Sequence, residues 1–298
     1  MATGKKIVTT ENTKVTEAFF LALFFFVSSV GYVVNVDAQQ PKRIVSLVPN
    51  VTEILYAIGA GSQVVAVSSY DEEPPAVRRL PKVGALMDPD TERIITLRPD
   101  LVITYSSQVD LQSQLTRASI PFFDYRHGDL AHIMATMRGL GERTGHSAEA
   151  EQAARALEAR IDEVRARVKG KPRPRTLLVF ERDSGTLRNI YASAGRGFLH
   201  DMLEVAGGVD VLDEIDKESA QASIENILTL APEVILELRS ADRLSDAAMQ
   251  TEVASWSSLA SVPAVKNHRV MVLVGKELTV PGPRVAEAIE RMAKALHP

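Results

Sequence analysis

The hydrophobic positions of the chain follow two repeating rhythms, separated by one long segment with a rhythm of its own. Arg43–Val48, Val64–Ser68, Leu101–Thr104 and Phe122–Tyr125 are short β-rich runs, and the helical patterns Val51–Ile58, Leu111–Ala118 and Leu130–Arg143 lie between them. Strands that alternate with helices predict a parallel sheet with helices packed on it. The alternation returns later, with strands at Thr176–Phe180, Val234–Leu238 and Arg269–Val274 and helices at Phe198–Val205 and Val285–Leu296. Between the two stands Ser147–Val168. There Ala150, Ala154, Leu157, Ile161, Val164 and Val168 recur at steps of four and three, which places them on one stripe of a helix. The opposite face is charged, with Glu151–Arg155 and Glu163–Arg167 at i,i+4 in the favourable order. Ser147 suits the N-cap, and Gly170 with Pro172 and Pro174 ends the run. Such a rod is roughly 33 Å long at about 1.5 Å per residue. The pattern predicts an α/β protein of two lobes, residues 42–145 and 175–298, joined by one rigid helix within 146–170.

An internal echo supports two related halves. Glu92–Ile103 (ERIITLRPDLVI) matches Glu225–Leu236 (ENILTLAPEVIL) in register, each a helix stopped by proline and followed at once by a strand. Gly59 and Gly207 each close a helix with a leucine four residues before, Leu55 and Leu203.

Composition narrows the functional classes. The chain has 298 residues, 45% hydrophobic and 24% charged, with a net charge of −4, so it carries no nucleic-acid footprint. It has no cysteine, which excludes disulfides, thiol catalysis and thiolate metal sites. Ala18–Val34 is apolar and uncharged, follows Lys5, Lys6 and Lys14, and precedes Val36-Asp37-Ala38. That arrangement predicts a signal peptide over residues 1–38, cleaved after Ala38, and a soluble periplasmic product. An uncleaved anchor is the competing reading, with a span at the short limit for crossing a bilayer.

Catalytic signatures are few. Among the six histidines there is no His-Glu-x-x-His spacing, and the chain has no Gly-x-Ser-x-Gly elbow; Gly59-Ala60-Gly61 follows a helix instead of opening one. In parallel sheets ligands bind beyond the carboxyl ends of the strands. Those ends bring Asn50, Tyr70, Tyr105, Tyr125, Arg126 and His127 from the first lobe, and Arg182, Tyr191, Arg239 and Lys276 from the second. Tyrosines with a polar tip suit a large, partly apolar ligand, and the basic residues could pair with its carboxylates or phosphates. Glu53 and Glu225 each sit near the start of a helix, one per lobe. Asn50-x-x-Glu53 fits a capping box and Ser223 can cap the second helix, while two acids on one face could dock basic patches of a symmetric partner.

Arg43–Leu55 (RIVSLVPNVTEIL), Val67–Pro75 (VSSYDEEPP), Leu80–Gly84 (LPKVG) and Leu97–Ile103 (LRPDLVI) together resemble the iron-chelate and vitamin B12 periplasmic-binding family. The resemblance runs from about Lys42 to the C-terminus. It implies two Rossmann-like lobes and one spanning helix. It also implies a ligand clamped between the lobes, such as cobalamin, haem or a ferric siderophore, with no further cofactor. Delivery to the permease dimer of an ABC importer follows, with Glu53 and Glu225 as the acids that bind permease arginines and a monomeric chain. The Ser68-Ser69-Tyr70 segment is most similar to the cobalamin-binding branch, with Tyr70, Tyr105 and Tyr191 at aromatic contact positions. The chain departs from that branch at Leu86 and Ser219, where cleft tryptophans are expected, and at Lys276 and Val280, where Asp and Arg are expected. Trp256 reads as structural. The reading from another class is an enzyme on the same scaffold, a metal chelatase using His127.

Overall fold

A computed structural model describes residues 40–298; the leader segment 1–38 lies outside the described residues. Its first sheet has four parallel strands in the order β2-β1-β3-β4, formed by β1 (Ile44–Ser46), β2 (Val64–Val67), β3 (Leu101–Tyr105) and β4 (Phe122–Tyr125). Helices α1 (Pro49–Ala57), α2 (Thr91–Thr96), α3 (Val109–Arg117) and α4 (Leu130–Thr144) connect and cover it. Helix α5 (Ser147–Val168) leads to the second sheet. That sheet contains β5 (Arg175–Glu181), β6 (Tyr191–Ser193), β7 (Val209–Asp210), β8 (Ser219–Gln221), β9 (Val234–Arg239) and β10 (Val270–Val274). Strands β10, β9 and β5 are parallel, whereas β6 and β8 extend the sheet antiparallel. Helices α6 (Phe198–Val205), α7 (Ile224–Leu230), α8 (Asp246–Ala254), α9 (Pro263–Lys266) and α10 (Val285–Leu296) complete the second lobe.

All six residues of the α5 stripe are buried. They belong to one continuous core that includes Ile44 and Leu101 of the first lobe and Leu178, Leu203 and Ile289 of the second. The approach of α4 is very close. A Cβ on Gly141 would lie 2.3 Å from the Cβ of Ala150, so only glycine allows that crossing. On the solvent side Glu151 holds Arg155 at 2.5 Å and also Arg138 of α4 at 2.6 Å. The expected Glu163–Arg167 pair is not among the ion pairs of the described residues; Asp162 and Arg165 pair instead.

Two caps differ from expectation. Ser147 is the first helical residue and not the cap, because Gly145 turns the chain in the left-handed conformation only two residues earlier, and His146 at the N-cap makes no side-chain cap bond. In α1 there is no capping box. Pro49 opens the helix with its fixed φ, and the side chains of Asn50 and Glu53 are used elsewhere.

The echo is structural as well. Asp90 and Ser223 both cap their helices through side-chain oxygens. Arg98 (φ 48°) and Ala231 (φ 45°) both leave the helix left-handed, directly before Pro99 and Pro232, where proline disfavours right-handed α backbone.

Truncating the middle of the stripe tests how much the two lobes owe to the helix. Leu157→Ala is expected to cost about 2–5 kcal/mol, the range for removing a buried leucine, read as a lowered urea midpoint.

Candidate functional site

The carboxyl ends of β1, β3 and β4 gather one aromatic cluster. Tyr105 and Tyr125 are register partners at the ends of β3 and β4. Their ring centroids are 6.0 Å apart, and His127 packs edge-on to both at 5.1 and 5.6 Å. His132 stands 6.2 Å from Tyr125. The Asn50 amide donates to the Tyr125 hydroxyl at 2.7 Å and to the Pro281 carbonyl at 3.1 Å, so one buried side chain joins this cluster to the last loop of the second lobe. The Tyr125 hydroxyl also lies 3.4 Å from His127 Nδ1, a contact in which the imidazole tautomer sets which group donates. Gln108 accepts from the Tyr105 backbone N–H and donates to the Leu86 carbonyl, which fastens the Ala85–Asp88 turn beside the cluster.

Burial governs the electrostatics. It pushes the Tyr125 hydroxyl up to about 12, against the lowering effect of the Asn50 bond, with further upward pressure from Tyr105 and Glu218. It raises Tyr105 in the same way, again with Glu218 adding to the shift. Desolvation by the neighbouring rings lowers His127, although Glu218 pulls the other way. Glu218 belongs to the second lobe, just before β8, so its charge reaches across to the cluster.

Glu218 also lines a second-lobe cavity of ≈ 190 Å³, with Phe180, Gly197, Phe198, Leu199, Ser219 and Thr279. Among the described residues no group of three or more His, Asp or Glu is placed to hold a metal ion.

The structure unites Asn50, Tyr105, Tyr125 and His127, and leaves Tyr70 73% exposed on the turn after β2. Arg126 is exposed and pairs with Asp124 at 3.3 Å. Three basic candidates are not free for a ligand. Arg182 is buried, with its guanidinium held by Glu237 and Glu252 at 2.9 and 2.7 Å and lying over the Trp256 ring. Trp256 is itself fully buried and donates its indole N–H to Glu237 at 3.1 Å. Arg239 is spent on Glu252 at 2.7 Å and on the Arg182 carbonyl at 3.2 Å. Lys276 bridges Glu72 of the first lobe and Asp242 of the second. Tyr191 lies in strand β6, not in a loop, and is 37% exposed.

Glu53 does not project from the surface. Its carboxylate takes the Arg284 guanidinium in two bonds of 2.7 and 2.8 Å, and its side chain is only 10% exposed. Glu225, in contrast, is exposed as the second residue of α7. The first-lobe residue in the same position is Glu92, exposed as the second residue of α2. The echo already aligned Glu92 with Glu225, so the signal for this residue was present in the sequence.

Two α/β lobes on one rigid helix, with an aromatic wall facing an apolar cavity, define a two-lobed ligand-binding protein. The chain matches the periplasmic binding protein family over residues 44–276 and belongs to it. It is 28% identical over 266 residues to the ABC transporter substrate-binding lipoprotein YvrC of Bacillus subtilis, covering 87% of this chain and 81% of that one. Among solved structures it resembles the periplasmic vitamin B12 binding protein BtuF of Vibrio cholerae (TM-score 0.73, 26% identity, 86% and 96% of the two chains). It also resembles a periplasmic heme binding protein from Pseudomonas aeruginosa (TM-score 0.73, 25% identity, 87% and 93%).

The His127 environment gives a signed pH dependence. A histidine whose folded value lies below its ordinary 6.5 binds fewer protons folded than unfolded, so its contribution to stability is lost as pH falls through that range. His127→Gln should therefore lose less stability than wild type between pH 7 and pH 5. Urea midpoints at the two pH values measure it, and parallel losses in both proteins would contradict it. Buried acids with raised values, such as Asp71 and Asp210, act in the opposite direction but are common to both proteins.

Proposed function

We propose that this protein is the solute-binding component of an ABC importer and that it captures a corrinoid or an iron chelate between its lobes. The observation that carries the reading is the Tyr105–Tyr125–His127 wall, joined through Asn50 to the second lobe and facing an apolar cavity there. Flat metal chelates offer broad apolar faces with polar groups at the edge. Aromatic rings pack on the faces while hydroxyl, imidazole and carboxylate groups meet the edge. The metal arrives already coordinated, so the protein need supply only shape and a few directed hydrogen bonds. Binding, not catalysis, is the role this arrangement suits. Support also comes from membership of the periplasmic binding protein family and from the vitamin B12 and haem binding proteins among its structural neighbours.

The same reading places the working protein outside the cytoplasmic membrane, exported by a leader cleaved after Ala38 and acting as a monomer. Among the described residues no helix is long and apolar enough to cross a membrane. Glu92 and Glu225 are the acids best placed to meet a permease dimer. Each is exposed in the first turn of a capped helix, at equivalent points of the two lobes, beside an exposed Ile95 or Ile224 and Leu228.

Calorimetric titration of the chain from Gln39 to Pro298 with cyanocobalamin, haemin and ferric siderophores tests the ligand class. Saturable binding of at least one is expected, and Tyr105→Ala, which truncates the half-buried ring of the cluster, should weaken it by about 1–3 kcal/mol, as for loss of one large contact side chain. Heat changes no larger than dilution for all three would sink the reading. For docking, Glu92→Gln combined with Glu225→Gln should leave ligand affinity near wild type and abolish stimulation of the importer ATPase in proteoliposomes. Full stimulation by the double variant would remove both acids from the docking face.

A further inference from the structure

The basic side chains that the sequence placed at the cleft are held in ion pairs. Arg182 and Arg239 are committed to Glu237 and Glu252, Lys276 to Glu72 and Asp242, and Arg284 to Glu53. Arg196, close in sequence to the cavity, is paired with Asp216 at 3.6 Å. Glu218 stands apart from these pairs. It is the one charged residue lining the second-lobe cavity, among Phe180, Phe198, Leu199, Ser219 and Thr279. The backbone makes room for it: Gly197 has φ +90°, and a Cβ there would lie 3.2 Å from the Glu218 Cγ. An ionised carboxylate accepts hydrogen bonds and donates none. A space of ≈ 190 Å³ is about six times the volume of a water molecule, enough for a short side arm and too small for a macrocycle.

We infer that this cavity is a side-arm subsite in which Glu218 selects an amide or ammonium arm and rejects a carboxylate arm. The inference rests on the function proposed above and narrows it to corrinoids fringed with primary amides, in preference to haem with its propionates or to polyanionic siderophores. An amide N–H₂ entering the cavity meets an acceptor and apolar walls. A carboxylate entering it meets the like charge of Glu218 among apolar walls and gives up part of its hydration there.

A matched pair of probes isolates the arm from the ring. Cobinamide and cobyrinic acid share one corrin macrocycle and differ in amide against carboxylate arms. Wild type is expected to bind cobinamide roughly tenfold or more tightly than cobyrinic acid, and to prefer it to haemin. Glu218→Gln should shrink that ratio, and Glu218→Lys should cut it by about tenfold or invert it, roughly the size of a single charge contact. Melting curves should match wild type, since Glu218 is exposed and makes no ion pair among those of the described residues. If haemin or a siderophore binds at least as well as cobinamide and the Glu218 variants leave the ratios unchanged, the subsite is wrong and the importer reading survives. If no corrinoid, haemin or siderophore binds, the importer reading falls and this inference falls with it.

Discussion

The close crossing of α4 and α5 is the contact on which the rest of the molecule depends. Gly141 lets Ala150 approach to a distance that no larger pair permits. From there the α5 stripe runs from Ala150 to Val168, and the core it belongs to is continuous from the first sheet to the second. A buried stripe of this kind is close-packed and does not deform smoothly. The two sheets are therefore held by one stiff element, and the space between their carboxyl ends is defined before any ligand arrives. Asn50 adds a second tie, from the first-lobe cluster to the Pro281 carbonyl. The two lobes are thus joined both by apolar packing and by a few polar contacts.

Those polar contacts differ in kind. Glu53–Arg284 is bidentate and partly buried, whereas Lys276 reaches Glu72 and Asp242 at an exposed rim where ion pairs contribute little and are screened by salt. The Arg182–Glu237–Glu252–Arg239 group is different again. Both Arg182 and Glu237 are removed from water, so the net stability of the group is small, yet losing one partner would strand a buried charge at a cost of about 3–5 kcal/mol. It joins the carboxyl ends of β5 and β9 to helix α8, with the Trp256 ring packed against the Arg182 guanidinium.

Much of this was legible in the sequence. Phe198–Val205 and Val285–Leu296 have the bounds that their periodicity predicts, because each carries a clear apolar stripe. The strands missed were β6, β7 and β8, two or three residues long, too short for any alternation to register. Helix α8 was missed for another reason: the one residue it buries is Glu252, so it has no apolar face to detect. The aromatic cluster was visible as tyrosines after strands. The fate of the arginines was not, since the Arg182 partners lie 55 and 70 residues away and no local spacing announces them. Glu53 misled for a similar reason, its partner Arg284 being 231 positions distant. Glu92 was recoverable from the echo, where register with Glu225 is a stronger signal than position near a helix start.

The distribution of charge follows from these pairings and shapes what the cleft can recognise. A guanidinium locked between two buried carboxylates cannot turn toward a ligand without exposing an unpaired charge in the core, so it is unavailable at any ligand concentration. With the arginines held in this way, the groups left near the second-lobe cavity include the Tyr105 and His127 rings, the Ser219 and Thr279 hydroxyls and the Glu218 carboxylate. Rings and apolar walls reward contact area and discriminate poorly between flat macrocycles of similar size. A polar group discriminates more sharply, because a mismatched arm meets an unfavourable charge or leaves it unpaired. For the flat chelate proposed above, selectivity would therefore fall on the edge of the ligand and affinity on its ring. Charge is kept instead on the outer face, where Glu92 and Glu225 remain exposed at equivalent points of the two lobes and can act on a partner without disturbing the cleft.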